Sequence, residues 1–354
     1  VSVTPARPGS PAHRWMRRST TVASVLSLAA LVGFSSFVLE APGPVVDTLG
    51  EWQGKQIVQI SGTKTYPSES RLDLTTVSAQ GRPGGSVSAL ETIAAWLDPV
   101  RDIVPREYQY PAGTTAEEQS AESAVQMTGS QQLATLAALN ELEIEYSTST
   151  VIAGLANDTN AKNLKDNDTV LTFNGATITD PASLQKAVRA SSGATATATI
   201  LRDGKEQEVQ LAVGTGQDGK PSLGVVISAD FKLPFTIDFA IENIGGPSAG
   251  TMLALGIIDE LTPGSLAGDR HVAGTGTIDT QGNVGAIGGI AQKVVGARDA
   301  GATVFLAPSD NCAELAGRVP HGLDVYSVST LKEARGVLQQ LADGADTSGL
   351  KRCG

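Results

Sequence analysis

From Gly245 the chain reads GGPSAG and runs on into TMLALGIIDEL, a segment apolar around most of its circumference. A helix of that kind has no face to offer water, so it must lie inside a layered domain. The residues before it narrow the possibilities. Gly245 and Gly246 open backbone angles closed to other residues and allow close approach, and Pro247 stiffens the entry. The spacing predicts a strand ending near Asn243 and a helix starting at Ser248 or just after it. A helix N-terminus presents unpaired N–H groups and a partial positive charge. The N–H groups of Ser248 and Ala249 would then stand where an oxyanion develops, beside a hydroxyl able to attack a carbonyl. The same residues also make an ordinary helix cap.

A nucleophilic serine needs a base. His271 has no acidic partner legible near it. Lys293, in GGIAQKVVGA, lies one turn into an apolar helix with Ile290, Val294 and Val295 as neighbours. Burial penalises the ammonium and lowers its pKa, which would let this lysine take a proton. The alternative is a lysine that snorkels to the surface. Ser183 and Lys186 spell SxxK, and Ser309–Asn311 spells SDN, but no KTG follows, so penicillin-binding chemistry is set aside. Two cysteines and three scattered histidines give no metal-ligating pattern, and no cofactor is expected.

Elsewhere the chain is a multi-domain α/β (α+β) pattern. Residues 1–18 carry four arginines and no acid, and the rest has 22 basic against 37 acidic residues. So acidic a body excludes nucleic acid as a partner. Ser19–Leu39 has no charge and is long enough for a membrane helix. By the positive-inside rule the N-terminus is expected in the cytoplasm and the bulk of the chain outside, as a single-pass membrane protein. A cleaved signal peptide is the rival reading. Residues 40–142 form an N-terminal region in which no chemistry is legible. Outside the membrane Cys312 and Cys353 are free to pair, closing a loop of about 40 residues.

Residues 143–222 hold STVIAGL, LKDNDTVLTFNGATI with its Asn174-Gly175 turn, a helix DPASLQKAVRASSG capped by Asp180, and two strands around Asp203-Gly204. This order resembles a PDZ domain of the type found in bacterial membrane proteases. The resemblance implies a peptide-binding loop just before Val151, where EYSTST stands in place of a glycine-rich loop. Peptide binding and a structural spacer both stay open as roles.

GGPSAG, followed 45 positions after Ser248 by the lysine of AGTGTID…GNVGAIGGIAQK, resembles the proteolytic domain of Lon proteases, over 223–342 with a tail at 343–354. The order of anchor, PDZ-like and Lon-like segments is similar to the membrane-anchored, PDZ-containing Lon-like proteins of Gram-positive bacteria. The resemblance implies a Ser-Lys dyad serine endopeptidase with Ser248 as nucleophile and Lys293 as general base. It also implies support from Thr275, Gly246, Pro247 and Ala249, protein or peptide substrates outside the membrane, and a homo-oligomer, with a hexameric ring as the form the family suggests. Gly245 stands where many Lon proteases carry an acid. No GxxxxGK[ST] occurs, so the expected activity is ATP-independent. The alternative is an inactive scaffold that uses both folds to hold partners.

Overall fold

The computed structural model describes residues 34–191, 194–241 and 244–354. They form two units: one is residues up to Glu143 together with Ile237–Gly354, and the other is Ile144–Thr236. The second unit is therefore an insertion in the sequence of the first.

The first unit opens with β1 (Phe37–Asp47), β2 (Arg71–Gln80), helix α1 (Ala89–Trp96), β3 (Asp102–Pro105) and the long helix α2 (Ala116–Glu141). Both helices start on capping boxes, Ser88 with Glu91 and Thr115 with Glu118. Strand β1 pairs antiparallel with β2, and the register shifts between Pro42 and Val45, where Pro42 and Pro44 have no N–H to give the ladder.

The inserted unit is a sheet in the order β7–β6–β5–β4–β8. Its strands are β4 (Ser147–Leu155), β5 (Thr169–Phe173), β6 (Thr195–Arg202), β7 (Lys205–Ala212) and β8 (Val225–Lys232). All these pairings are antiparallel. Helix α3 (Pro181–Arg189) follows the Asp180 cap and buries Leu184 and Val188. Those two join Ile152, Phe173, Ala198 and Ile200 in a core separate from that of the first unit.

The first unit resumes with β9 (Thr236–Phe239), which pairs with Val58–Ser61. Then come α4 (Gly250–Leu261), β10 (His271–Gly274), α5 (Ile290–Asp299), β11 (Val304–Pro308), β12 (Asp324–Val328) and α6 (Leu331–Ala342). The main sheet runs β12–β11–β10–β2–β1–β3. Strands from the two ends of the chain meet at its centre, where β10 lies parallel to β2 with Gly274 opposite Leu74. Every residue of α4 from Gly250 to Glu260 is buried, as its apolar circumference requires.

Two expectations are corrected here. The membrane helix over Ser19–Leu39 fails at its C-terminal end. Phe34–Ser35 is a short strand paired with Val87–Ser88, and Phe37–Leu39 begins β1. Val38 and Leu39 are 0% and 2% exposed within the protein's own sheet. An apolar strand adjoining an apolar run lengthened the uncharged stretch, and periodicity alone does not separate the two. Residues 19–33 lie outside the described ones, and among the described residues no helix is long and apolar enough to cross a membrane. The single-pass anchor, and the cytoplasmic and external sides inferred from it, are not supported. The second correction concerns boundaries. Residues 40–142 supply half of the main sheet, and the segment from Val225 to Lys232 belongs to the inserted unit.

Cys312 and Cys353 form a disulfide 41 positions apart in sequence. It ties the C-terminal tail to the short helix after β11. Closing a loop of that size contributes about 3–4 kcal/mol through the unfolded chain. Cys353→Ser should therefore lower the Tm measurably, and dithiothreitol should do the same to the parent. An unchanged Tm in both would show that the bridge carries no stability.

Candidate active site

Ser248 and Lys293 arrive from opposite sides of one groove. Ser248 precedes α4 by two residues, with Ala249 as the N-cap. Lys293 sits in the first turn of α5, where its N–H bonds Gly289 O. Its Nζ donates to Ser248 Oγ at 2.9 Å and to Thr275 Oγ1 at 3.0 Å. Thr275, directly after β10, donates its hydroxyl to Ser248 O at 3.0 Å, and Gly276 N reaches the same oxygen at 2.9 Å. The serine is thus held through its carbonyl while its hydroxyl stays available to the amine.

Lys293 is 3% exposed and Thr275 0%. Burial drives the lysine pKa down from 10.5 to about 7, with the negative charge of Glu40 opposing the shift. Around neutral pH the amine is therefore neutral in a large fraction of molecules and has a lone pair to offer.

The glycine pair has two separate tasks. Gly246 has a φ of +91°, open to glycine at little cost. A Cβ on Gly245 would come within 2.6 Å of Ser123 Cβ, so α2 lies against this loop. Gly246 N bonds Ser123 O at 3.1 Å, and Ser130 Oγ donates to Pro247 O at 3.0 Å. Among the described residues, the N–H groups of Ser248 and Ala249 donate to no other group. They are free for a developing oxyanion. Across the groove Asn311 clamps Ile287 through both its backbone groups, each at 2.9 Å, and so fixes the loop that starts α5.

The groove has a volume of about 1410 Å³ and contains Ser248, Lys293, Thr75–Ala79 of β2, and Ser123 and Met127 of α2. None of the β2 and α2 residues was legible as functional. They lie far upstream and carry no motif, and only the pairing of β2 with β10 brings them here. His271 takes no part. It stands at the other end of β10, where Nε2 pairs with Asp73 Oδ2 at 2.5 Å and Arg71 holds both oxygens of the same carboxylate.

The inserted unit has its own cleft of about 360 Å³ between α3 and β8, containing Leu184, Val188, Leu223, Val225 and Ile227. The expected loop before Val151 is corrected. Ser147–Val151 lies in β4 rather than in a loop; Thr150 and Val151 pair with β5 on one side and the whole segment pairs with β8 on the other. The edge strand beside the cleft is β8, and the segment before it reads Ser222-Leu223-Gly224, with Gly224 at a φ of +68°.

Comparison with known proteins agrees with this layout. Residues 241–341 match the Lon protease (S16) C-terminal proteolytic domain, and residues 143–213 match the PDZ domain. Lon protease 1 of Sorangium cellulosum is 41% identical over 92 residues, 25% of this chain and 11% of that protein. Lon protease 2 of Herpetosiphon aurantiacus is 32% identical over 138 residues, 38% of this chain and 17% of that protein. The chain thus spans less than a fifth of the length of these relatives. The PDZ domain of the SdrC-like protein of Listeria monocytogenes superposes with a TM-score of 0.21 at 12% identity, over 22% of this chain and 85% of that one. The chain carries a Lon-type proteolytic domain and a PDZ domain.

Proposed function

We propose that the chain is an ATP-independent serine endopeptidase in which Ser248 attacks and Lys293 is the general base. The observation that carries this reading is the 2.9 Å approach of Lys293 Nζ to Ser248 Oγ with the amine buried. Neutral Lys293 accepts the Oγ proton as Oγ bonds to the substrate carbonyl carbon. The resulting oxyanion takes hydrogen bonds from the N–H groups of Ser248 and Ala249. The ammonium then protonates the leaving amine, the C–N bond breaks, and an ester to Ser248 remains. A water molecule, its proton taken by Lys293, attacks that ester; the C–O bond to Ser248 breaks as the ammonium returns the proton to Oγ, and the acid is freed. Thr275 orients both dyad residues through the hydrogen bonds described above.

The groove suits an extended chain. Strand β10 pairs with β2 only as far as Leu74, while β2 continues to Gln80. A substrate strand can add along that open side. Unfolded or locally exposed segments are the substrate class that follows, because the 354 residues carry no P-loop to drive unfolding. The cleft beside β8 recruits peptides by the same strand addition. The Lon relationship suggests oligomerisation, and a hexameric ring is the form we propose; a monomer alone in sedimentation would remove it.

Without ATP, the parent chain should cleave casein, and Ser248→Ala should leave the circular dichroism intact while abolishing turnover. Residual cleavage by that variant would overturn the nucleophile. Lys293→Arg should lose about 10²–10⁴-fold, because Arg stays protonated. For the parent, kcat/KM should rise with pH to a plateau, with its midpoint near the lysine pKa of about 7. A profile flat between pH 5 and 9 would exclude Lys293 as base.

The same burial has a stability signature. Between about 7 and 10.5 the unfolded chain holds a proton on this lysine that the native state lacks. The destabilisation is therefore complete below about pH 7 and disappears as pH rises through 10.5. Lys293→Met should raise the Tm at pH 7, and the gain should shrink toward pH 10.5. A lower Tm at pH 7 would mean that the amine contributes more by its hydrogen bonds than burial removes.

A further inference from the structure

Among the described residues, the charged ones that line the catalytic groove are Lys293 and Arg82, and no described carboxylate lines it. This is a protein with 37 acidic and 26 basic residues. The acids on the first turns of α2, Glu117, Glu118 and Glu122, lie outside the groove, while Gln119 and Ser120 of the same turns line it. Arg82 is exposed, and among the described residues its side chain makes no hydrogen bond or salt bridge. The nearby carboxylate of Glu40 is engaged by Gln109 Nε2.

The backbone of Arg82 is fixed. Gly81 has a φ of +85°, and a Cβ there would meet Phe37 O at 2.4 Å. Arg82 O accepts from Gly85 N at 2.8 Å across Pro83 and Gly84, and Gly84 has a φ of +80°. Proline followed by a left-handed glycine is the signature of a type II turn. The turn anchors the arginine at the end of β2, on the strand along which a substrate would lie. Measured along an extended chain from Thr75, that is about 20 Å from the serine end of the groove.

We propose that Arg82 determines specificity by pairing with a carboxylate of the bound substrate, several residues from the bond that is cut. The inference rests on the peptidase reading above. An exposed guanidinium with no partner, held on a rigid turn, binds a carboxylate through two parallel N–H donors at little ordering cost. Among the described residues of the groove wall no carboxylate competes for it. The carboxylate can come from an Asp or Glu side chain or from the C-terminus of the substrate.

The test uses full-length Ser248→Ala and fluorescent peptides of neutral sequence, C-terminally amidated, in which one Glu, Gln or Lys is walked along the chain. Anisotropy reads binding without turnover. One position should prefer Glu over Gln by about fivefold. Arg82→Gln should remove the preference, and Arg82→Glu should transfer it to Lys at the same position. A Glu preference that survives Arg82→Glu overturns the proposal. So does the absence of any preference, both in the amidated series and in a free-acid twin. An Arg82-dependent gain confined to the free-acid twin supports the proposal and identifies the terminal carboxylate as its source. With active enzyme, the Glu-to-Gln ratio of kcat/KM should follow the binding ratio in each variant. If no peptide is cut while the Arg82-dependent preference persists, the peptidase reading fails and the carboxylate site stands.

Discussion

The site depends on one unfavourable placement, an amine 3% exposed among apolar neighbours. Ile290, Val294 and Ala297 of the same helix are all at 1% exposure or less. An ammonium in such surroundings costs more than its two hydroxyl contacts return, so the proton leaves near neutral pH. The surrounding structure is what enforces the burial. The fully packed α4 backs the serine, α2 closes the loop in front of it, and Asn311 fixes the turn from which the lysine helix starts. If any of these loosened, water would reach the amine and return it to an ordinary cation.

The division of the chain follows from the same economy. A sheet with both long edges supplied by sequence-distant halves tolerates an insertion wherever the chain crosses the surface between elements. The PDZ unit occupies such a place, between α2 and β9, and has its own core. Both of its covalent connections lead to elements that adjoin the Gly245–Ser248 loop. One is α2, which supports Gly246 and Pro247, and the other is β9, which runs on toward Ile244.

How much of this could be read in the sequence divides along physical lines. Local patterns were legible. The all-round apolar helix predicted burial of α4, Asp180 and Pro181 predicted the start of α3, and the turns at Asn174-Gly175 and Asp203-Gly204 predicted reversals of strand direction. The pairing of Ser248 with Lys293 was legible only through the resemblance of GGPSAG and GGIAQK, their serine and lysine 45 positions apart, to the Lon proteolytic domain, since each local setting alone also fits an ordinary cap or a snorkelling lysine. What was not legible depends on pairing at long range. Thr75–Ala79 look like any β-rich run until β10 lies beside them. The cleft beside β8 was sought at the wrong end of its domain, because a strand's neighbours are not written in its own residues. Phe37–Leu39 were absorbed into an apolar run whose physical boundary is a hydrogen-bond ladder rather than a change of composition.

The central pairing of the sheet has a consequence for the order in which the protein is made. Thr75 Oγ1 bonds Gly274 O across 199 positions, and Lys293 lies later still. A ribosome working from the N-terminus releases β1, β2 and α2 first, then a PDZ unit whose strands find all their partners locally, and only afterwards β10 and α5. Domains fold as units during synthesis, and non-local pairings wait for the loop between them to close. The PDZ unit is therefore complete on the nascent chain while the proteolytic sheet still lacks its middle. Under the proposed function, the emerging polypeptide has no assembled dyad with which to cut itself or its neighbours until β10 and α5 have followed the PDZ unit out of the ribosome.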